Sequence, residues 1–224
     1  MIAIPHLRPF AFLVVGLSLA SAAAARQQRD PEAYAKTLEG AERVARMQVP
    51  KVVETLGVRP GMKIADIGAG SGLFSRPLAK AVGEKGIVYA VDIDAGMLKI
   101  VERTSAEAGL KNVKTVLAAA DDPKLPEPVD LAFICDALHH IGGQAAYFKT
   151  LVKYLKPGAR VAVIDFGEKW PAGHESMRYS VADMDGWARG AGLTQVSSYT
   201  FLENSFFVIY RLTVPRLPLV PDLR

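Results

Sequence analysis

The chain is predicted to be an α/β protein: a doubly wound, mostly parallel seven-stranded sheet with helices on both faces and an antiparallel C-terminal strand pair. Three observations predict it. From Ile64 onward, apolar runs of strand length alternate with stretches of helical periodicity. A turn with glycines at 68, 70 and 72 directly follows the first of those runs. The 224 residues, 50% hydrophobic and 22% charged, suffice for one domain with a substantial core and are too few for two large ones.

The elements follow in order. Leu38, Ala41, Val44, Ala45, Val52, Val53 and Leu56 recur at helical spacing, which predicts a leading helical region over residues 30–60, interrupted near Pro50 and ended by Gly57 to Gly61. The main domain then spans residues 61–212. Ile64 to Ile67 is a strand, Gly68 to Gly72 a turn, and Leu73 to Val82 a helix closed by Gly83. Ile87 to Val91 is a strand ending in Asp92, and Ala95 to Ala108 a helix stopped by Gly109. Val113 to Leu117 and Leu131 to Cys135 are buried strands separated by a Pro-rich loop over residues 121–128. Ala145 to Leu155 is helical, and Lys156-Pro-Gly158 breaks the chain before the strand Arg160 to Ile164. Val181 to Ala191 is a helix behind a Ser180 cap, and Thr194 to Tyr199 and Ser205 to Leu212 are the closing strands. Residues 213–224, with prolines at 215, 218 and 221, form an irregular tail.

The N-terminus reads differently. His6 and Arg8 precede an apolar stretch from Phe10 to Leu19 and then Ser21-Ala-Ala-Ala-Ala25, the pattern of a secretory signal peptide cleaved near Ala25. Periplasmic or secreted localisation is expected; an uncleaved membrane anchor and an organelle presequence are the alternatives, the latter because no acidic residue precedes Asp30. The net charge of +4 falls to +3 without residues 1–25, since Arg8 is their one charged residue and 26 basic then face 23 acidic groups. Basic residues are interspersed with acidic ones, which argues against a nucleic-acid partner. Cys135 is the single cysteine, which excludes an intrachain disulfide and any multi-thiolate metal site, and its apolar neighbours make it a buried small hydrophobe.

The chemistry concentrates at the glycine turn. Gly68, Gly70 and Gly72 permit unusual backbone angles and let a ligand approach the main chain with no Cβ in the way. A pyrophosphate-binding turn would space its glycines G-x-G-x-x-G; here they read G-x-G-x-G, with no basic residue before Arg76. Asp66 adds negative charge near the turn, which opposes a phosphate and suits a cationic amino-acid moiety. Asp92, 20 residues after Gly72, is placed to accept both hydroxyls of an adenosine ribose.

Ile64 to Phe74 and Val91-Asp-Ile-Asp94 resemble the glycine motif and the ribose-binding acidic motif of the class I S-adenosylmethionine-dependent methyltransferases, a resemblance that covers roughly residues 49–166. It implies S-adenosyl-L-methionine as cofactor, with Asp92 on the ribose, Ile93 on the adenine, and Ala120 and Asp121 at the adenine edge. The family's Gly-Asp-Ala is replaced by Ala118-Ala-Ala-Asp-Asp-Pro123, which leaves Asp121 and Asp122 as alternatives. Cys135 to Ile141 resembles the segment lining the methionine end, which makes Asp136 a pocket residue.

His139 and His140 are candidate general bases for the proton of a methylated hydroxyl or amine; the plainer reading is a helix-start histidine bonded to backbone. Methyl transfer from a sulfonium can proceed by positioning alone, so no base is obligatory. Asp136, Asp165 and a histidine lack the spacing of a metal site, and no metal is expected. Trp170, His174 and Tyr179 fall in a late insertion where substrate determinants or merely a packed surface loop would lie.

The leading expectation is therefore a methyltransferase with a small-molecule acceptor. An exported non-catalytic module that keeps the cofactor pocket is the alternative, since the donor is made in the cytosol. A nucleotide-dependent oxidoreductase is disfavoured by the glycine spacing.

Overall fold

In the computed structural model, which describes residues 30–213, seven strands form one sheet in the order β3-β2-β1-β4-β5-β7-β6. They are β1 (Lys63–Ile67), β2 (Ile87–Asp92), β3 (Val113–Leu117), β4 (Val129–Cys135), β5 (Leu155–Phe166), β6 (Leu193–Tyr199) and β7 (Ser205–Leu212). β7 runs antiparallel to both β5 and β6, so it alone opposes the common strand direction. The expectations of a signal peptide over residues 1–25 and of an irregular tail fall on residues 1–29 and 214–224, outside the described residues. Among the described residues, no helix is long and apolar enough to cross a membrane.

The expected fold class is the observed one, and burial on both faces explains why. Helices cover both sides of the sheet, so successive residues of a central strand enter opposite halves of the core. In β4, Leu131, Phe133 and Cys135 pack on one face while Ala132 and Ile134 pack on the other. Cys135 is the buried hydrophobe expected, with Met47 Sδ 3.7 Å away. Chain order reverses between β1, whose crossover leads to β2, and β4 on its other side. A doubly wound sheet binds ligands beyond the carboxyl ends of the strands at such a switch point.

Four local expectations change. The leading region is three helices, α1 (Pro31–Leu38), α2 (Ala41–Met47) and α3 (Val49–Thr55), broken at left-handed Gln48, near Pro50 as expected, and also at Gly40. Pro50 is tolerated in the first turn of α3, where a missing N–H leaves no intrahelical bond unmade. Met47, Val52 and Leu56 are fully buried in the sheet's own core. The helix after the glycine turn, α4 (Ser75–Val82), starts two residues late because the turn extends through Phe74. α6 (Gln144–Leu151) tightens into a 3-10 turn at Val152–Tyr154, earlier than expected. Lys156-Pro-Gly158 does not end the pairing: Val129 pairs Leu155 and Leu131 pairs Arg160, so these residues bulge from a continuous β5, with Gly158 at φ 75°. α5 (Ala95–Glu107) and α7 (Val181–Gly190) match expectation, the latter behind a capping box of Ser180 and Asp183.

Candidate functional site

Three loops leave the C-terminal edge of the sheet at the switch point, following β1, β2 and β4. The first is the glycine turn. Its Gly68 and Ala69 N–H groups donate to Val91 O at 2.8 and 3.0 Å, which ties the turn to β2. Gly68, Gly70 and Gly72 have φ of 70, 53 and 80°, all in the left-handed region. A Cβ on Gly68 would overlap that of Ala137 in the loop after β4. One on Gly70 would stand 2.7 Å from Leu38 Cδ1, so α1 covers this part of the turn.

Asp92 ends β2. Its Oδ2 accepts from Gly70 N at 2.9 Å and its Oδ1 from Asp94 N at 3.0 Å, so the acidic motif and the glycine turn are one hydrogen-bonded unit. Burial raises the Asp92 carboxyl above its ordinary range, against the lowering effect of these backbone donors. Beside it Ile93 is 56% exposed, a large apolar side chain standing open next to a carboxylate. Ala120 and Asp121 lie in the turn that follows β3. Of the two aspartates, Asp122 Oδ1 accepts from Lys124 N and from the Tyr154 hydroxyl, whereas Asp121 is exposed.

Asp66 stands elsewhere than the charge argument supposed. Strand alternation puts it on the face shared with Ile64, under the turn, where its carboxyl accepts from Ser75 Oγ at 2.5 Å and is 2% exposed. Burial pushes its pKa to about 7, and Asp92 nearby adds to the rise. It supports the turn from below and presents no full negative charge to a ligand.

Asp136 follows β4 in a left-handed conformation, φ 50°, which Asp tolerates better than most residues. Its Oδ2 accepts from Arg43 Nη2 at 3.0 Å, while Oδ1 is buried without a partner. Burial raises its carboxyl and Arg43 opposes the rise. Arg43 also donates to Leu38 O at 2.9 Å. With the Glu39–Arg76 pair at 2.6 Å and the Glu32–Arg103 pair at 2.6 Å, it straps the N-terminal helices across the site. Arg43 and Leu38 escaped the sequence reading, because an Arg and a Leu on an amphipathic helix have no local signal for a partner 93 residues away.

His139 and Asp165 form the most enclosed polar group. His139 Nδ1 lies 2.8 Å from Asp165 Oδ1, and Asp165 also accepts from the Tyr179 hydroxyl at 2.8 Å and from Phe166 N at 2.9 Å. His139 is therefore held by a side chain, not only by backbone as the plainer reading had it. Its Nε2 is buried without a partner. His140 is exposed one residue on. The trio of Asp136, Asp165 and a histidine does not assemble, because Asp136 turns to Arg43 and Asp165 to His139 and Tyr179. Trp170 packs edge-on to His139 and Tyr179, with its Nε1 on Gly167 O, so the late insertion is a packed aromatic cluster. Beside it a cleft of about 600 Å³ is lined by Phe166, Tyr179, Tyr199, Asn204 and Phe206, in the size range of small-molecule sites.

Sheet order, glycine turn and the acidic end of β2 define a class I, Rossmann-like methyltransferase fold. Residues 64–158 match the family model of a methyltransferase domain. A ubiquinone/menaquinone biosynthesis C-methyltransferase, UbiE, of Laribacter hongkongensis is 34% identical over 121 residues, 53% of this chain and 48% of that protein. The corresponding protein of Shewanella woodyi is 31% identical over 170 residues, 72% of this chain and 66% of the relative. The chain thus spans between about half and two thirds of these curated relatives. A solved S-adenosylmethionine-dependent methyltransferase of Aquifex aeolicus superposes with a TM-score of 0.73 at 27% identity, over 82% of this chain and 99% of that one.

Proposed function

We propose that the protein binds S-adenosyl-L-methionine and transfers its methyl group to a small-molecule acceptor. One observation carries the reading: Asp92, bonded to the glycine turn through Gly70, sets a carboxylate directly beside the exposed side chain of Ile93. Those are the two chemistries an adenosine needs, acceptors for ribose hydroxyls and an apolar surface for adenine.

The remaining residues fit the same ligand. Gly68 and Gly70 let Ala137 and Leu38 pack against the turn where a Cβ would overlap them. Asp136 Oδ1, buried and unpartnered, is an acceptor for the ammonium of the methionine moiety. Asp121 is the exposed carboxylate at the adenine edge. When bound, the cofactor supplies an electrophilic methyl on a sulfonium. The chain's part is to hold and orient it, which can provide much of the rate enhancement. Of the two candidate bases, His139 is enclosed, with a side chain 1% exposed, and His140 is exposed.

Isothermal titration of the purified protein with S-adenosylmethionine tests the reading. Saturable binding is expected, weakened roughly 100-fold in Asp92→Ala, the loss of about 2.7 kcal/mol that removing a doubly accepting charged group implies. Transfer of radiolabel from the cofactor to a small-molecule extract is expected alongside it. No binding by the folded protein would sink the proposal; binding without transfer would leave a non-catalytic module.

We also infer export, from the short basic segment, apolar stretch and alanine run of residues 1–25. Expressed in a bacterial host, the full chain is expected in the periplasmic fraction with a mature N-terminus at or near Arg26, read by mass spectrometry. An intact N-terminus in the cytosol would contradict it.

A further inference from the structure

The chain has four histidines, at 6, 139, 140 and 174, and the three among the described residues meet at one place. One ligand nitrogen from each of His139, His140 and His174 lies within 4.8 Å of the others. The ring centroids stand 4.0 Å apart for the first pair and 5.3 Å from each to His174. Two of these residues come from the turn after β4, and His174 arrives from the insertion after β5, 34 positions further along. Local sequence does not bring them together; the fold does.

His139 gives the cluster its direction. A carboxylate only accepts, so the Nδ1 facing Asp165 carries a proton, and in the neutral ring that leaves the lone pair on Nε2. That Nε2 is buried with no partner, an arrangement that is unfavourable unless something binds there. A carboxylate holding the far nitrogen of a histidine is the usual support for a metal ligand: it sets the tautomer, fixes the ring plane and raises the basicity of the coordinating nitrogen. Asp165 is itself immobilised, fully buried and fixed by Tyr179 and by the backbone of Phe166 and His139. Phe166 and Trp170 rings at 5.4 and 5.5 Å give His139 an apolar surround, while exposed His140 leaves one side open.

We infer that His139, His140 and His174 form a three-histidine site for a divalent transition ion of the zinc type, with Asp165 as positioning residue. Neutral imidazoles suit zinc, copper or nickel and not the oxygen-seeking magnesium or calcium. Tetrahedral zinc with bonds of about 2.1 Å sets its nitrogens roughly 3.4 Å apart. Exposed His140 and loop-borne His174 therefore close by about an ångström around fixed His139. Three protein ligands leave a fourth position for water or an anionic oxygen of a ligand. The inference does not rest on the methyl-transfer reading, although it takes as ligands the two histidines that are candidate bases there.

The test uses the full-length protein after chelator treatment, titrated with Zn²⁺ in competition with a chromophoric chelator and with Co²⁺ followed by visible absorption. One equivalent is expected to bind, with Co²⁺ giving the intense bands of four-coordination by nitrogen and oxygen. His140→Ala and His174→Ala, on the exposed side and in a loop, are each expected to weaken binding at least tenfold with an unchanged circular dichroism spectrum. Asp165→Asn is expected to weaken it 10- to 100-fold. His6→Ala is expected to change nothing. Absence of saturable binding to folded protein, indifference to both His140→Ala and His174→Ala, or loss in His6→Ala would each overturn the site.

Discussion

Gly68→Ala is expected to destabilise the protein by roughly 3 kcal/mol, or 6–12 °C in Tm for a chain of this size. Two effects add. At φ 70° any side chain strains the backbone, by about 1–2 kcal/mol. The added Cβ also overlaps the Cβ of Ala137, and neither group can rotate away, because Ala137 directly follows left-handed Asp136 at the end of β4. Gly109→Ala separates the two contributions. Gly109 has the same φ of 70° but its Cβ would meet nothing within 4 Å, so it carries the backbone strain alone. Urea unfolding of both variants is the measurement. Equal losses would show that the turn and the β4 loop are not locked together as described.

The second large effect is a pH dependence of stability opposite in sign to that of most carboxylates. Asp66 has a folded pKa raised to about 7 from the ordinary value of 3.8, chiefly by burial. Between those pH values the folded state holds a proton that the unfolded state has released, so ν for the unfolded chain is the smaller and stability falls as pH rises. The contribution is fully present below about pH 4 and lost above about pH 7, a total on the order of 4 kcal/mol. Asp66→Asn keeps an acceptor for Ser75 and cannot ionise. The variant is therefore expected to gain on the wild type by that amount between pH 4 and pH 8, in unfolding experiments where every other titration is common to both. A wild-type-minus-variant difference that stays flat with pH would refute the assignment.

Much of this molecule is legible before any coordinates. The runs at 113–117 and 205–212 coincide with β3 and β7; β7 reads as apolar because both its faces are packed, whereas β3, at the sheet edge with Leu117 55% exposed, is not the buried strand expected. The capped helix behind Ser180 and the glycine stops at 83 and 109 are equally local, since caps and left-handed turns are chosen by one or two side chains. The errors share a cause as well. Lys156-Pro-Gly158 looks like a break, and it bulges within a strand because β4 on one side and β7 on the other hold β5 in register past it. The interruption near Pro50 is where expected, but it is set by Gln48, and the helix begins one residue before the proline.

The candidate site divides along the same line. Its glycines, Asp92 and Ile93 declare themselves because motif spacing encodes a strand, a turn and the end of the next strand, all within 30 residues. Sequence alone therefore determined the fold class and placed the glycine turn, Asp92 and Ile93 of the candidate site at one edge of the sheet. Tertiary structure alone decided which charges are real and which are neutralised. It put Asp66 beneath the turn, gave Asp136 to Arg43, engaged Asp122 and left Asp121 exposed, and gathered His139, His140 and His174 over buried Asp165. Burial and partnership are properties of the packed molecule, set by which side chains arrive from distant segments, and no local spacing records them.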